Sequence, residues 1–452
     1  MPRINSCQNP NESTTIGHTM VDKITEALYP ISFREKDAIM LGNELKNHNN
    51  VVLIGMKRVG ISNFLRFFLN HEEIEKKYIA DGNPRLFISV DLNDLVEREV
   101  FPFWILTLKR IVDSVENSSL KELTKKNIEK LFLDSMQSKD IFLTIENIKK
   151  SLIKIINEGV LPIIFFIRFD RLKEIITSEL FGNLLGLKEA LNQKGSFVFT
   201  SYRGLTDIAP DVFIKSSVSL FAQNIYIKPA DEKDAKMIFE TYESKHKFFL
   251  SDSLRDYLFE IAGGYVQYLF LALISFHELI IKPNSKEKIF DFLVKDERTT
   301  LQSEELWESL SAVERGILLK IEKNQSITSE ERKSGSYLWD SGFVIEKSGK
   351  NKSFSPLFSY FLRERQIVNS ATAKVDFSKK ENLLFTYLRS RLGQISEREE
   401  IIQAVWAEVE EFGVSDWAID RLVARLRVKL KSQKSKFEIQ TIKTRGYKMI
   451  EM

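Results

Sequence analysis

The sequence predicts an α/β core with a mainly parallel sheet, followed by a helical segment and two small α+β units. Three observations predict this fold class. Short apolar strand candidates alternate with long helical stretches up to about residue 228, as they do in βαβ units. Residues 231–292 then show helical patterns only. From about residue 307 to the end, two regions each combine amphipathic helices with a short hairpin pattern.

Length and composition are those of a folded multidomain protein. A chain of 452 residues suggests about two to four domains. Its 66 basic and 63 acidic residues give a formal net charge of +3, so any nucleic-acid surface must be local. The single cysteine, Cys7, cannot form an internal disulfide, which fits a reducing cytosol.

No segment of the sequence predicts a membrane partner. No apolar run approaches the ~18 residues that a membrane span needs. Residues 1–21 lack the apolar region of a signal peptide, and we expect them to form a flexible leader. A cytoplasmic location is therefore predicted.

The strand candidates of the core are short, apolar and rich in branched or aromatic residues, as buried parallel strands are. They are Val51–Ile54, Leu86–Val90, Leu161–Phe166 and Ser196–Thr200. Helical patterns at Ile141–Asn157 and Leu180–Gln193 lie between the later strands. Before the first strand, Pro30 ends one helical pattern and Ser32 is placed to cap the next.

A glycine-containing loop follows the first strand. Residues 55–62 read GMKRVGIS, close to the phosphate-binding pattern G-x-x-x-x-G-K-[ST], in which backbone N–H groups and a helix N-terminus surround phosphate oxygens. The lysine position holds Ile61, so the main cation for transition-state charge is missing. A strand–helix turn without a ligand is the alternative. The candidate nucleotide-binding residues are Gly55, Lys57, Arg58, Gly60, Ile61, Ser62 and Asn63, with Ser62 also the candidate Mg²⁺ ligand.

Hydrolysis in such a site also needs a carboxylate at the tip of a neighbouring strand. After the apolar run 161–166, the Asp-Glu positions of hydrolysing proteins hold Ile167 and Arg168. Asp170, three residues after the first of these two positions, is the candidate catalytic residue. It could instead cap a helix or pair with Arg168 or Arg171. Since both the cation and the carboxylate are displaced, we expect little or no ATP hydrolysis and doubtful Mg²⁺ binding.

Two further segments belong to this candidate site. Thr200 and Arg203, at the end of the fourth strand, are placed to contact a γ-phosphate, although ordinary strand-end polar residues look the same. The segment IAGGYVQYLF, residues 261–270, has a glycine pair that permits close packing against the core.

These segments, in this order, resemble the initiator-like branch of the AAA+ and STAND ATPases. The resemblance rests on FREKDAIMLGNEL, GMKRVGIS, FFIRFDRL, FVFTSYRGL, IYIKPADEKDAKMIF and AGGYVQYLF. It implies an α/β core at 22–228, a helical lid at 229–297 and a winged helix at 298–368. It also implies that Phe33 and Arg34 cover the adenine of ATP or ADP, and that the glycine pair faces the nucleotide. Val266 stands where the family commonly has proline.

The last segment, 369–452, predicts a compact DNA-binding fold. Ser378 with Glu381, and Ser396 with Glu399, form capping-box patterns before two helices. A third helix begins at Ser415 and Asp416, and the strands FEIQTI and YKMI form a two-stranded wing. Residues 415–452 carry 10 Lys/Arg and 4 Asp/Glu, a local charge of +6 of the kind that phosphate binding needs.

This segment resembles the OmpR/PhoB-type winged-helix DNA-binding domain over nearly its whole length. The resemblance implies that the third helix enters the major groove and that the wing contacts the minor-groove side. The DNA-binding residues it implies are Arg421, Arg425, Arg427 and Lys429 on the helix, with Lys443, Arg445 and Lys448 on the wing. The alternative is a winged helix used for protein contact, for which Trp417 and Leu422 would be suitable.

The sequence thus suggests a bacterial DNA-binding regulatory protein with a degenerate nucleotide-binding core that switches a winged-helix output. Double-stranded DNA and an effector protein are the expected partners, and a homo-oligomer is possible. Two alternatives stay open. One is a scaffold that recruits a partner, for example in phage defence or mobile-element biology. The other is an active ATPase whose site is completed in trans by a second copy.

Overall fold

The computed structural model describes two compact units, residues 1–364 and 365–452. The described residues are 24–213, 221–247, 249–278, 285–370, 377, 379–405, 416–432, 435–442 and 445–451. The predicted leader, the cap residues Ser378 and Ser415, and Lys443 lie outside them.

A five-stranded parallel sheet forms the centre of the N-terminal unit. Its strands are β1 (Asn50–Ile54), β2 (Arg85–Asp91), β3 (Leu161–Ile167), β4 (Ser196–Ser201) and β5 (Ala222–Tyr226). The order across the sheet is β2-β3-β4-β1-β5, and every pair is parallel. The central strands β1 and β4 are buried along their whole length. The sheet confirms the predicted fold class of the core.

The helices of the N-terminal unit lie around the sheet and beyond it. Those of the sheet region are α1 (Glu35–Lys46), α2 (Ile61–Asn70), α3 (Val100–Glu116), α4 (Glu122–Ser138), α5 (Ile141–Asn157), α6 (Ser178–Ala190) and α7 (Leu205–Ile208). Those that follow are α8 (Glu232–His246), α9 (Asp252–Ala262), α10 (Val266–Glu278), α11 (Lys286–Lys295), α12 (Glu297–Glu308), α13 (Ala312–Glu322), α14 (Ser329–Ser334), α15 (Ser336–Asp340) and α16 (Pro356–Ser370).

The start of α1 differs from the sequence prediction. The helix begins at Glu35, and its N-cap is Arg34 in the left-handed conformation with φ 49°. Ser32 is therefore not the cap. Arg34 holds this conformation because its backbone N–H donates to Asp234 Oδ1 at 2.8 Å.

A two-stranded hairpin completes the N-terminal unit. Strands β6 (Val344–Lys347) and β7 (Lys350–Ser353) are antiparallel. Gly349 lies at the tip with φ 70°, as the sequence predicts. Buried residues of the sheet, of α8–α13 and of α15 and α16 form one continuous hydrophobic cluster. The predicted lid and the predicted first winged helix therefore share a core with the sheet.

The glycine pair allows two very close approaches between these regions. A Cβ at Gly264, which has φ 70°, would lie 2.0 Å from the carbonyl oxygen of Ala230. A Cβ at Gly263, with φ 62°, would lie 2.1 Å from the carbonyl oxygen of Phe354. The expected close packing of this pair is confirmed, because only glycine fits either position.

The C-terminal unit contains three described helices and a three-stranded antiparallel sheet. The helices are α17 (Lys379–Ser390), α18 (Arg398–Val405) and α19 (Asp416–Ser432), and the strands are β8 (Ile395–Glu397), β9 (Phe437–Ile442) and β10 (Gly446–Glu451). β10 pairs with both β8 and β9, so the predicted wing is present together with β8, which the sequence analysis missed.

The predicted capping box at Ser396 is wrong. Ser396 lies within β8, and its buried Oγ has no hydrogen-bond partner. The capped backbone N–H belongs to Glu397 instead, and it donates to the side-chain carboxylate of Glu400 at 2.9 Å. The observed cap lies one residue after the predicted one, because Ser396 pairs with β10 in the sheet.

None of the helices formed by the described residues is long and apolar enough to cross a membrane. Within the same residues, no group of three or more His, Cys, Asp or Glu side chains could hold a metal ion.

Candidate functional site

The loop between β1 and α2 follows a tight path. Arg58 (φ 59°) and Gly60 (φ 112°) have positive φ angles. The N–H of Val59 donates to the carbonyl oxygen of Met56 at 3.1 Å, so this donor is used within the loop. The helix N-terminus of α2 follows directly, with Ser62 in its first turn.

Apolar side chains of the loop pack close to Gly55. A Cβ at Gly55 would meet the Cγ1 of Val59 at 2.8 Å and the Cδ1 of Ile61 at 3.3 Å. Val59 is buried. Ile61, at the position of the missing lysine, therefore lies beside the first glycine of the loop.

Arg34 joins the loop to two other segments. Its guanidinium, which is only 4% exposed, donates to the carbonyl oxygens of Val59 at 3.3 Å and Lys228 at 2.7 Å. It also pairs with Asp37 at 3.3 Å. Burial raises the pKa of Asp37, and Arg34 opposes that rise. Arg34 therefore acts as a buried cross-link between the loop, α1 and the segment after β5.

The glycine-pair region and α12 also hold the loop. Val266 lies beside Gly60, because a Cβ added at Gly60 would be 2.9 Å from the Cγ2 of Val266. Tyr265 donates its hydroxyl to the carbonyl oxygen of Lys57 at 2.5 Å. The cations of the loop face an acid on α12, because Arg58 pairs with Glu305 at 2.9 Å and Lys57 lies 4.0 Å from it.

Arg203, a candidate γ-phosphate contact, is turned away from the loop. Its guanidinium pairs with Glu314 at 2.6 Å and donates to the carbonyl oxygen of Ser309. It also lies over the ring of Tyr337, 3.9 Å from the centroid. The Arg203 and Glu314 side chains are 12% and 6% exposed, so the pair is largely removed from water.

The Arg203–Glu314 pair predicts a pH-dependent stability. Burial raises the pKa of Glu314, but Arg203 and the Ser311 cap outweigh this effect and hold it below the usual value. A lowered folded-state pKa stabilises the fold above the unfolded value of 4.5, and this contribution is lost as the pH falls through the folded-state pKa. We expect Glu314→Gln to lower the free energy of unfolding at pH 7 by about 3 kcal/mol, and by less at pH 4.

Urea unfolding at the two pH values measures this difference. The exposed Glu346 on β6 offers a matched control, and Glu346→Gln should change the free energy of unfolding by less than about 0.5 kcal/mol. An equal cost of Glu314→Gln at both pH values would contradict the assignment.

After β3, at the positions where hydrolysing proteins carry Asp-Glu, the side chains make other contacts. Arg168 forms an ion pair with Asp91 at the end of β2, a partner that the sequence analysis did not name. The N–H of Arg168 donates to the hydroxyl of Thr200 at 2.7 Å. Asp170 lies in a short 3-10 helix, Phe169–Leu172. Burial raises the pKa of Asp170, and a local backbone hydrogen bond and the charge of Lys57 oppose this rise.

The remaining candidates lie apart from the loop interior. Phe33 is 1% exposed and packs edge-to-face against the rings of Tyr29 and Phe67. Asn63 donates its amide to Glu26 at 3.2 Å. Ser62 lines a cavity of about 600 Å³ that also contacts Asp91, Arg110 and Arg168.

The structure thus brings Arg34, Lys57, Arg58, Gly60 and Ile61 together at one loop. Sequence analysis missed the partners Asp91, Tyr265, Glu305 and Glu314. Glu305 and Arg58 are 247 residues apart in the chain, and no local pattern marks Glu305.

Helix α19 exposes an apolar stripe between basic residues. Its buried face contributes Leu422, Val423 and Leu426 to the core of the C-terminal unit. The suggestion that Leu422 serves a protein interface is therefore wrong, because it is 1% exposed. Ala424 is exposed and Val428 is 69% exposed on the opposite face.

Three of the basic side chains of α19 have partners within the unit. Lys429 pairs with the buried Glu381 at 2.6 Å, and Arg425 lies 3.5 Å from it. Arg427 donates to the carbonyl oxygen of Ile439 at 2.8 Å and to the hydroxyl of Thr441.

The other candidate DNA contacts differ in exposure. Arg421 is half-buried, Arg445 on the wing is exposed, and Lys448 on β10 is half-buried. Lys443 lies outside the described residues.

Comparison with known proteins gives a family match within the C-terminal unit. Residues 372–449 match the family described as "Transcriptional regulatory protein, C terminal". The resemblance of this segment to response-regulator winged helices is confirmed. No curated protein sequence matches the chain.

Several solved structures are similar to the chain over most of its length. A Walker-type ATPase of Pyrococcus abyssi has 17% identity and a TM-score of 0.48, covering 75% of this chain and 100% of its own. The ORC2 protein of Aeropyrum pernix, solved as ADPNP–ADP complexes, has 12% identity and a TM-score of 0.41, covering 74% and 93%. The ORC1 protein of Aeropyrum pernix in complex with DNA has 11% identity and a TM-score of 0.37, covering 95% and 91%.

Proposed function

We propose that this protein is a DNA-binding regulatory protein whose P-loop core is a pseudo-ATPase. The observation that carries the DNA-binding part is the match of residues 372–449 to a transcriptional-regulator family, on a unit with a basic third helix and a β-hairpin wing. The core acts as a regulatory platform that controls when this output engages DNA.

The geometry of the loop supports the pseudo-ATPase part. A phosphate-binding loop needs free backbone donors, a cation and a magnesium carboxylate. Here the lysine position holds Ile61, which packs close to Gly55, and Arg58 pairs with Glu305. At the strand end, Arg168 stands at the carboxylate position and pairs with Asp91. ATP or ADP would bind only after these contacts open, and Mg²⁺ would lack its usual acidic ligand.

DNA binding should depend steeply on salt. Each neutralised phosphate contributes about −0.9 to the slope of log K against log salt. We expect Arg445→Ala combined with Lys448→Ala to weaken duplex binding about tenfold or more and to reduce that slope by about 2. Fluorescence anisotropy of a labelled duplex, titrated with the full chain at several salt concentrations, measures both quantities.

A charge-matched control comes from α4, where Lys126 and Lys130 are exposed. The double variant Lys126→Ala with Lys130→Ala removes the same charge and should keep the wild-type slope. Absence of duplex binding by the wild-type chain at the lowest salt would remove the DNA-binding proposal.

A scaffold function remains the second candidate, favoured by one surface. The turn between α4 and α5 exposes large apolar side chains: Leu133 (50%), Met136 (46%), Ile141 (41%) and Phe142 (75%). Clustered exposed apolar residues mark interaction sites. Co-purification of a neighbouring gene product that Phe142→Asp abolishes, from a chain without DNA affinity, would favour this candidate.

A further inference from the structure

We infer that the apolar stripe of α19, Ala424 and Val428, reads thymine methyl groups in the major groove. The inference rests on the proposed DNA binding and names the class of site that would be recognised. It starts from the exposed face of α19, whose central residues are apolar rather than basic.

The stripe lies on the face of α19 directly opposite the core. Ile419, Val423 and Leu426 are buried, and Ala424 and Val428, four residues apart, form the opposite face. Val428 is 69% exposed. Arg421 and Arg425, both half-buried, flank the stripe on one side, and the exposed Lys431 flanks it on the other.

This arrangement matches the chemistry of one base. In the major groove, thymine alone presents a methyl group, and small apolar side chains contact it. Arg421 on one side of the stripe and Lys431 on the other suit the two phosphate backbones that border the groove. Asp420 on the same helix pairs with Arg398 at 2.6 Å, so its charge is offset.

The spacing within the stripe sets the spacing of the bases. Four residues of an α-helix rise about 6 Å, and successive bases of one strand are about 3.4 Å apart. A helix lying along the groove would therefore place Ala424 and Val428 against thymines about two base-pair steps apart.

Selection from a random duplex pool with the full chain, followed by replacement of single thymines with deoxyuridine, tests the inference. Uracil pairs as thymine does but lacks the methyl group. We expect the selected sites to contain two thymines at this spacing, and each replacement to weaken binding about fourfold. Other positions should tolerate uracil.

Two variants assign the effect to the stripe. The double variant Ala424→Ser with Val428→Ser, both at exposed positions, should bind thymine and uracil duplexes equally. Val313→Ser, at another exposed valine on α13 that is 54% exposed, should keep the discrimination. The thermal unfolding midpoint of each variant shows whether its fold is intact.

The outcomes separate this inference from the proposed function. Duplex binding with no loss on uracil replacement, or discrimination that survives in the double variant, would overturn the inference and leave DNA binding intact. Failure of the wild-type chain to bind any duplex at low salt would overturn both.

Discussion

Gly264→Ala is expected to lower the free energy of unfolding of the N-terminal unit by about 4 kcal/mol. The added Cβ would lie 2.0 Å from the carbonyl oxygen of Ala230, and the residue has φ 70°. This backbone segment cannot move away easily, because the N–H of Ala230 donates to the carbonyl oxygen of Gly264 at 2.8 Å. Steric overlap and backbone strain therefore add.

Gly316→Ala is the matched control for this change. Gly316 lies within α13, and a Cβ there would have no neighbour within 4 Å. Alanine should stabilise the helix by up to about 1 kcal/mol. Urea unfolding of both variants, followed by circular dichroism, compares them. An unchanged midpoint for Gly264→Ala would show that the glycine pair does not pack against residue 230.

Arg34→Ala has the second large expected effect, a loss of about 3–5 kcal/mol. The substitution leaves the buried Asp37 without its cation and the carbonyl oxygens of Val59 and Lys228 without their donor. Arg34→Lys should recover little, because an ammonium group cannot reproduce three directed guanidinium bonds.

The comparison for Arg34 is Lys77, which pairs with Glu35; the two side chains are 38% and 42% exposed. Lys77→Ala should cost less than about 1 kcal/mol, as exposed ion pairs do. Equal costs for the two variants would mean that Arg34 does not act as a buried cross-link of the loop.

The sequence predicted the parts of the fold that depend on local pattern. β1, β3 and β4 are fully or nearly fully buried, so each is a continuous apolar run that stands out. β5 is an edge strand with the pattern AQNIY, and only part of it is buried. Because of these polar residues, the sequence analysis did not predict it as a strand.

The candidate site was predictable only as a set of segments. The loop, its missing lysine and the displaced Asp170 are visible in the sequence. The contacts that close the loop are not, because Glu305 and Tyr265 lie more than 200 residues away from it. Ser396 shows the opposite error, since a local capping pattern was overruled by pairing between β8 and β10.

Together, these contacts make the loop a structural part of the N-terminal unit. The carbonyl oxygens of Lys57 and Val59 accept hydrogen bonds from Tyr265 and Arg34. Val59 and Ile61 pack close to Gly55, and Val266 packs close to Gly60. We propose that regulation of the DNA-binding unit works through this closed loop rather than through a hydrolytic cycle.

ATP turnover by the purified full chain, compared with Ser62→Ala, tests this claim most directly. Ser62 is the residue that would ligate Mg²⁺ in an active site of this type. The closed loop predicts that both proteins release phosphate from ATP at the same background rate. Turnover by the wild-type chain that Ser62→Ala abolishes would contradict the pseudo-ATPase proposal and establish an active enzyme.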